Sequence, residues 1–535
     1  MAKMRVAIIG AGASGLTSLK CCLDEGLEPT CFERSDDIGG IWRYTPNVEN
    51  GRASIYQSVV SNTSKEMMCY SDFPHPDNTS NFLHNTRMLD YYRNYAEAFG
   101  LLKYIKFRTL IRSVKKTPDF SSTGQWEVTT EKDGKQETAI FDAVMVCSGH
   151  HTEPNYPLEA FPGIKVFKGK YFHSREYKTA EGFKGKRVLI VGMGNTGCDI
   201  AVELSRTASQ VFLSTRRGSW VMSRVFEQGY PWDICFDTRF QNWFRNILPV
   251  SVVSWLIDRK VNEWFDHANY GLQPYDRTQF KEPLLNDELP SRITCGFVLV
   301  KPEVIEFTEN SVKFDDGTTE NIDVIIFATG YNFSFPFLDE SIIKVENNKT
   351  ALYRNIFPAS LEKPTLGVIG LIQPLGPIMS AAEIQARWVT RVFKGLCKFP
   401  SLKEVMADIE KKKQITKKKF GISRESGLQL DYIEYLDELA TDMEVKPNIL
   451  QLFPTDPFLA LAVLFGPCTP AQYRLVGPGK WPQARKQIMT TWDRIIKPMK
   501  TRTVKQHESK SMGMAFFLGA ICALVVLFSV VVYKY

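Results

Sequence analysis

Two glycine-rich turns, each set between an apolar strand and a helix, constrain this chain more than any other feature. The first follows Arg5-Val-Ala-Ile-Ile9 and reads Gly10-Ala11-Gly12-Ala13-Ser14-Gly15, and the stretch from Leu16 to Glu25 is helical in character. A second strand, Thr30-Cys-Phe-Glu33, ends on a carboxylate about 20 positions further on, the spacing of a dinucleotide-binding βαβ unit. Each glycine has a separate duty. Gly10 permits the tight turn, Gly12 lets the backbone approach a pyrophosphate, and Gly15 lets helix and strand pack closely. The pyrophosphate then rests on the helix N-terminus, where unpaired N–H groups and the helix dipole favour an anion. Glu33 is placed to accept hydrogen bonds from ribose hydroxyls.

The same pattern recurs. Arg187-Val-Leu-Ile-Val191 leads into Gly192-Met-Gly194-Asn195-Thr196-Gly197, and a helix carrying Cys198 and Asp199 runs on through Leu204. The next strand, Gln210 to Ser214, ends in Thr215-Arg216-Arg217. Where the first unit has Glu33, the second has guanidinium groups. A carboxylate repels a 2′-phosphate, whereas arginine pairs with it in two-pronged fashion. The second unit is therefore expected to prefer NADPH to NADH. The units also close alike. Phe141-Asp-Ala-Val-Met-Val-Cys-Ser-Gly149 parallels Ile322-Asp-Val-Ile-Ile-Phe-Ala-Thr329-Gly330, each an apolar strand running into a glycine turn. The spacing from Gly10 to Gly149 nearly equals that from Gly192 to Gly330, so the chain carries a diverged internal repeat. Proteins with two dinucleotide units commonly move electrons between them. Glu33 suits FAD and the arginines suit NADPH, so hydride is expected to pass from nicotinamide to flavin.

Between the units, Phe167-Lys-Gly169-Lys-Tyr-Phe-His173-Ser-Arg-Glu-Tyr177 fits FxGxxxHxxx(Y/F), the motif of flavin-containing and Baeyer–Villiger monooxygenases. Phe327-Ala-Thr-Gly-Tyr331, Gly39-Gly40-Ile41-Trp42 and Ser61-Asn62-Thr63-Ser64-Lys65-Glu66-Met67 add further matches. Over essentially its whole length the chain resembles the vertebrate microsomal flavin-containing monooxygenases. Stretches such as 262–287 are most like those called form 1, although that segment mixes features of several forms. The resemblance implies a mechanism. NADPH reduces FAD, reduced flavin adds O₂ to give a C4a-hydroperoxide, and a soft amine nitrogen or sulfide sulfur attacks the distal oxygen. It also implies site residues. Gly10 to Ser14, Glu33, Gly40, Ile41, Trp42, Asn62 and Thr63 would line FAD. Ser61, Asn62 and Thr196 to Asp199 would line NADP, with Thr329 in the same set. Asn62, whose amide donates and accepts without titrating, and Gln373, in Leu-Ile-Gln-Pro-Leu-Gly, are the expected catalytic residues. His173 is expected to be structural. No metal is expected.

The rest of the chain fills in around these units. Between Arg217 and Cys295 the strand–helix rhythm stops, and the segment is rich in Trp and Phe. It reads equally as a lid that touches a bilayer, since Trp favours that interface, and as a helical subdomain core; the resemblance favours the lid. From Met512 to Tyr533 no residue carries a formal charge, and a helix of that length rises about 33 Å, enough to cross a bilayer. Lys497, Lys500, Arg502, Lys505 and Lys510 precede it and only Lys534 follows, which places the bulk of the chain on the cytosolic side. The endoplasmic reticulum is the expected membrane.

The net charge of +7 is spread along the chain, and nothing in it resembles a nucleic-acid-binding motif. The eleven cysteines include no Cys-x-x-Cys pair, which argues against a disulfide reductase and against a zinc site. The fold class expected is α/β: two Rossmann-like domains for FAD and NADPH, a helical insertion and a C-terminal membrane helix. The boundaries expected are FAD 1–154 and 331–442, NADP 155–213 and 296–330, insertion 214–295, C-terminal region 443–511 and membrane helix 512–533. Partners expected are small amines and sulfides, molecular oxygen and membrane lipid. Homo-oligomerisation, ketone oxygenation and a non-catalytic NADPH or flavin sensor stay open at this point.

Overall fold

The computed structural model describes residues 3–275, 283–420 and 427–502. Its frame is a pair of parallel sheets built on the two glycine motifs. In the first, Leu366–Val368, Ala143–Val146, Arg5–Ile9, Glu28–Phe32 and Ile105–Lys106 lie side by side in that order. In the second the order is Lys170–His173, Val324–Phe327, Arg187–Val191, Gln210–Ser214 and Val298–Lys301. The internal repeat is thus visible as topology: motif strand in the middle, closing strand on one side, second and third strands on the other. Each unit also inserts an antiparallel three-stranded meander before its closing strand, within 110–141 in one and 304–321 in the other.

The units differ in the strand beyond the closing one. The second sheet recruits it from before its own motif, Lys170–His173, whereas the first recruits it from far downstream, Leu366–Val368. That late return brings the helix Ile378–Phe393 to pack on the first motif's helix, Ala13–Asp24. Both sheets are covered on both faces. Val6, Ala7, Ile8 and Val188, Leu189, Ile190 are all fully buried, as parallel strands require. Each such side chain contributes about 1.5–3 kcal/mol. The ten described cysteines are all free, and most are buried.

The C-terminal region is bound to this frame by buried ion pairs. Arg474 reaches Glu383 at 2.9 Å and Asp72 at 3.0 Å, and Lys20 meets Asp72 at 2.5 Å. Arg494 pairs with Glu66 at 3.1 Å, and the Asn81 amide donates to the Ile495 carbonyl at 3.0 Å. The loop that carries Asn62 is therefore clamped from below by the last described helices. Among the described residues no helix is long and apolar enough to cross a membrane. The expected membrane helix, 512–533, lies outside them.

Within the insertion, helices span Trp232–Phe236, Arg239–Ile247 and Val250–Val261. Its aromatics divide between two environments. Trp220 is buried, while Trp243, Phe244, Trp255 and Trp264 stand exposed.

The glycine duties make a prediction about stability. A Cβ at Gly15 would sit 1.8 Å from the Gly10 carbonyl oxygen, whereas one at Gly194 meets nothing within 4 Å. Gly15→Ala should destabilise the fold by at least the usual overpacking cost of about 1–3 kcal/mol, seen as a lower unfolding midpoint. Gly194→Ala should stay within about 0.5 kcal/mol of the parent. Thermal unfolding of the two variants reads the difference directly.

Candidate active site

Both motif helices present bare N-termini. Gly12 and Gly194 are the N-cap residues, both with extended backbone, and neither helix has a side-chain cap. The first-turn N–H groups of a helix without a cap remain available to an anion. The turns ahead of them need glycine: Gly10 has φ +101° and Gly192 has φ +109°. A Cβ at Gly192 would lie 2.4 Å from the Ala328 carbonyl oxygen, so motif and closing strand fit only without a side chain there.

The two N-termini open into one cavity of about 1820 Å³. From the first unit, Gly10, Gly12, Ala13, Ser14, Glu33, Gly40, Ile41 and Trp42 line it. From the second come Gly192, Gly194, Asn195, Thr196, Asp199, Thr215, Arg216 and Arg217. Asn62, Thr63, Thr329 and Gln373 complete the wall. Other expected residues stand behind it. The Ala11 N–H donates to Glu33 Oε2 at 2.8 Å. Gly15 and Gly197 pack against the carbonyls of Gly10 and Gly192. The Ser61 hydroxyl donates to the Thr63 carbonyl at 3.0 Å and accepts from the Leu83 N–H at 2.9 Å. Cys198, expected beside NADP, turns its thiol into the core of the second unit, and its N–H is spent on the Gly194 carbonyl at 3.0 Å.

Glu33 uses one carboxylate oxygen on Ala11 and the other on the Ser35 N–H and hydroxyl, each at 2.8 Å. It thereby braces the glycine turn from the end of the second strand. Among the described residues no such engagement holds Arg216 or Arg217. Arg216 is 73% exposed, and its nearest carboxylate, on Glu303, is 3.8 Å away. Asp199 accepts from the Tyr56 hydroxyl at 2.6 Å and from the Asn286 amide at 2.8 Å. Burial pushes its carboxyl above the usual range, against the pull of that hydroxyl and of nearby Arg224. Gln373 donates its N–H to the Leu428 carbonyl at 2.7 Å, in a short parallel bridge to Gln429.

Asn62 is held through both its side chain and its backbone carbonyl. Arg224 Nη2 donates to its Oδ1 at 2.8 Å, and Arg224 Nε donates to the Ser61 carbonyl at 3.1 Å. The other arm of Arg224 pairs with Asp287 at 2.9 Å, and the Trp232 indole N–H donates to the Asn62 carbonyl at 2.8 Å. Arg224 takes one of the two acceptor sites on Oδ1, and the Asn62 amide keeps its donor N–H groups. Both Arg224 and Trp232 come from the segment 214–295, so that segment holds the Asn62 loop in place.

Sequence reading did not single out Arg224, which belongs to no motif. It also passed over His150 and His151, which follow the closing glycine Gly149 and line the cavity with ring centroids 4.2 Å apart. Burial holds both imidazoles neutral, pulling His151 down to about 4 and His150 further. Two histidines directly after the closing glycine were the available signal. His173 lies outside the cavity wall. Its Nε2 bonds the Gly330 carbonyl at 3.0 Å, and its Nδ1 accepts from the Arg175 N–H at 3.2 Å. It thereby joins the linking motif to the second unit's closing turn. Among the described residues no cluster of His, Cys, Asp and Glu could hold a metal ion.

The sequence model of the family described as FMO-like, flavin-binding monooxygenase-like, matches residues 3–535. The chain belongs to that family. It is an enzyme, a flavin-containing monooxygenase, and its cofactors are FAD and NADPH. Human flavin-containing monooxygenase 2 is 59% identical to it over 99% of both chains. Flavin-containing monooxygenase 1 of the dog, Canis lupus familiaris, is also 59% identical, over 95% of this chain and 96% of that one. Forms 1 and 2 thus stand equally near. Among solved structures, the S-allyl-L-cysteine S-oxygenase of Allium sativum is 25% identical, with a TM-score of 0.63 over 86% of this chain and 95% of its own.

The hold on Asn62 is testable. Arg224→Ala should leave FAD content intact but lower product formed per NADPH oxidised, with the shortfall released as H₂O₂. Arg224→Lys should restore little, because a point charge cannot span Asn62 and Ser61 as a fork does. Unchanged coupling in both variants would remove Arg224 from the site.

Proposed function

We propose that FAD lies with its pyrophosphate on the N-terminus of the helix Ala13–Asp24, NADPH with its own on that of Asn195–Leu204, and that the two meet at Asn62. The observation that carries this is the opening of both bare helix ends into one cavity. The residues fit the cofactors. The bare helix ends offer N–H groups to the pyrophosphates, and guanidinium groups with no tight carboxylate partner among the described residues stand at the end of the second unit's second strand. Bound flavin, once reduced, supplies the oxygen chemistry. The chain supplies position and dryness. Asn62 offers a non-titrating donor, neutral His150 and His151 offer no mobile proton at physiological pH, and Trp42 with Ile41 excludes water.

The substrates are soft nucleophiles, tertiary amines and thioethers, converted to N-oxides and S-oxides. Support comes from relatives named as N-oxide-forming dimethylaniline monooxygenases and from the structural relative named as an S-oxygenase. The insertion forms the substrate end of the cavity through Phe226, Trp232 and Phe236. Its outer face, with Trp243, Phe244, Ile247 and Trp255 exposed, together with exposed Phe453 and Phe458, rests on a bilayer into which 512–533 inserts. The endoplasmic reticulum, with the catalytic units on the cytosolic side, is the membrane that fits the basic residues preceding the tail.

Replacing Arg216 and Arg217 together by Ala tests the nucleotide assignment. Each charged hydrogen bond to a 2′-phosphate is worth about 1.5–3 kcal/mol. The KM for NADPH should therefore rise by about tenfold or more, while that for NADH, which lacks the phosphate, changes little. Equal loss for both nucleotides would show that the arginines do not read the 2′ position.

A further inference from the structure

Beyond the nucleotide cradles the cavity runs into the insertion, and there one carboxyl stands apart from every other in the site. Asp237 follows the helix Trp232–Phe236, lines the cavity and is 5% exposed. Its Oδ2 is fully buried with no hydrogen-bond partner among the described residues. Buried carboxyls are ordinarily paired or hydrogen-bonded.

The charged groups around it are otherwise occupied. Asp233, one turn earlier, accepts from the Ser64 N–H at 2.6 Å and the Ile234 N–H at 3.0 Å. Arg245, on the helix Arg239–Ile247, lies over the Phe236 ring at 5.5 Å and makes no ion pair with Asp237. Asp431 is held by Lys419 at 2.6 Å. Tyr432 and Cys468 are neutral neighbours, their acidities suppressed by burial. Burial pushes the Asp237 carboxyl up to about 8, with Arg245 opposing and Asp233 and Asp431 adding.

We propose that Asp237 is a specificity-determining residue for amine substrates: it takes the proton of an entering ammonium ion, so that the nitrogen reaches the flavin end of the cavity with its lone pair free. The proposal rests on the reading of the insertion end as the substrate chamber. The step balances simply. An N–H bond of the ammonium breaks, its electron pair stays on nitrogen, and an O–H bond forms on the Asp237 carboxylate. That proton leaves later to water at the cavity mouth. Nothing is oxidised or reduced in the transfer.

The elevated acidity constant makes the transfer effective. An ordinary Asp near about 3.9 lies some 6.5 units below an alkylammonium near about 10.4, so it would free under about one nitrogen in a million. A carboxyl pushed up to about 8 by burial closes much of that gap, so the transfer is far less uphill. The sign with pH follows. Below about pH 8 the unliganded carboxyl holds its own proton and must first release it to water before it can take one from an ammonium, so apparent affinity for basic amines falls as pH drops. A thioether carries no proton to give and has no such dependence through Asp237.

The test uses the full-length, FAD-loaded protein with a tertiary amine and a thioether of matched carbon frame. Asp237→Asn should lower the ratio of amine to thioether kcat/KM by about tenfold or more, chiefly through KM for the amine. Asp237→Glu, which keeps the acid, should hold that ratio near the parent value. FAD content of both variants reports folding independently of turnover. An unchanged ratio in Asp237→Asn overturns the proposal, and so does an equal fall of the ratio in Asp237→Glu and Asp237→Asn. Failure of the unaltered protein to oxygenate either substrate overturns the substrate-chamber reading along with it.

Discussion

A helix N-terminus without a cap is a cluster of unsatisfied N–H groups, and this structure holds two of them against one cavity. Everything else about the molecule follows from keeping both poles open and aimed at the same space. Glycine at Gly12 and Gly194 withholds the side chain that would cap each helix. Glycine at Gly15 and Gly197 lets each helix sit on its own turn, where even a methyl group would strike a carbonyl. Glu33 then locks the first turn by bonding Ala11. The two sheets repeat this arrangement with the same strand order, so the cradles are alike while their second-strand ends differ, carboxylate in one and guanidinium in the other.

Facing cradles do not by themselves make an oxygenase; the space between them has to be furnished. We propose Asn62 for that task; it lines the cavity from a loop with little regular structure of its own. It is held from two directions. The C-terminal region grips the loop through Arg494 on Glu66 and through the Ile495 carbonyl on Asn81. The insertion grips it through Arg224 and Trp232. Buried ion pairs such as Arg474 with Glu383 are poor sources of net stability, because desolvation offsets their attraction, but breaking one costs about 3–5 kcal/mol. Their value here is in fixing position, so segments far apart in sequence act on one side chain.

The parts of this arrangement legible in the sequence are the local ones. A strand, a glycine turn and a helix fall within about 30 residues, and each glycine has a steric reason. The repeat from Gly192 is readable for the same reason, and so is the contrast between Glu33 and Arg216 with Arg217. What was not legible is long-range. Nothing in the composition of Leu366–Val368 says that it completes the first sheet beside Ala143–Val146, because parallel pairing depends on partners distant in sequence. Arg224 reads as one more surface cation until its fork is seen across Asn62 and Ser61. Asp237 reads as a helix-end acid until its burial is known. Cys198 is a position inside the motif whose side chain lies in the core and whose N–H is spent on the Gly194 carbonyl.

We propose that the shared cavity brings a nicotinamide and a flavin into direct contact. The most direct measurement is anaerobic rapid mixing of the FAD-loaded, full-length protein with NADPH, and with NADPH deuterated at the transferred position, while the flavin's visible absorbance is followed. Prompt bleaching slowed by the deuterium is expected if the two rings lie within reach of direct hydride transfer. A flavin that stays oxidised under excess NADPH, or bleaches at a rate indifferent to the label, would contradict it.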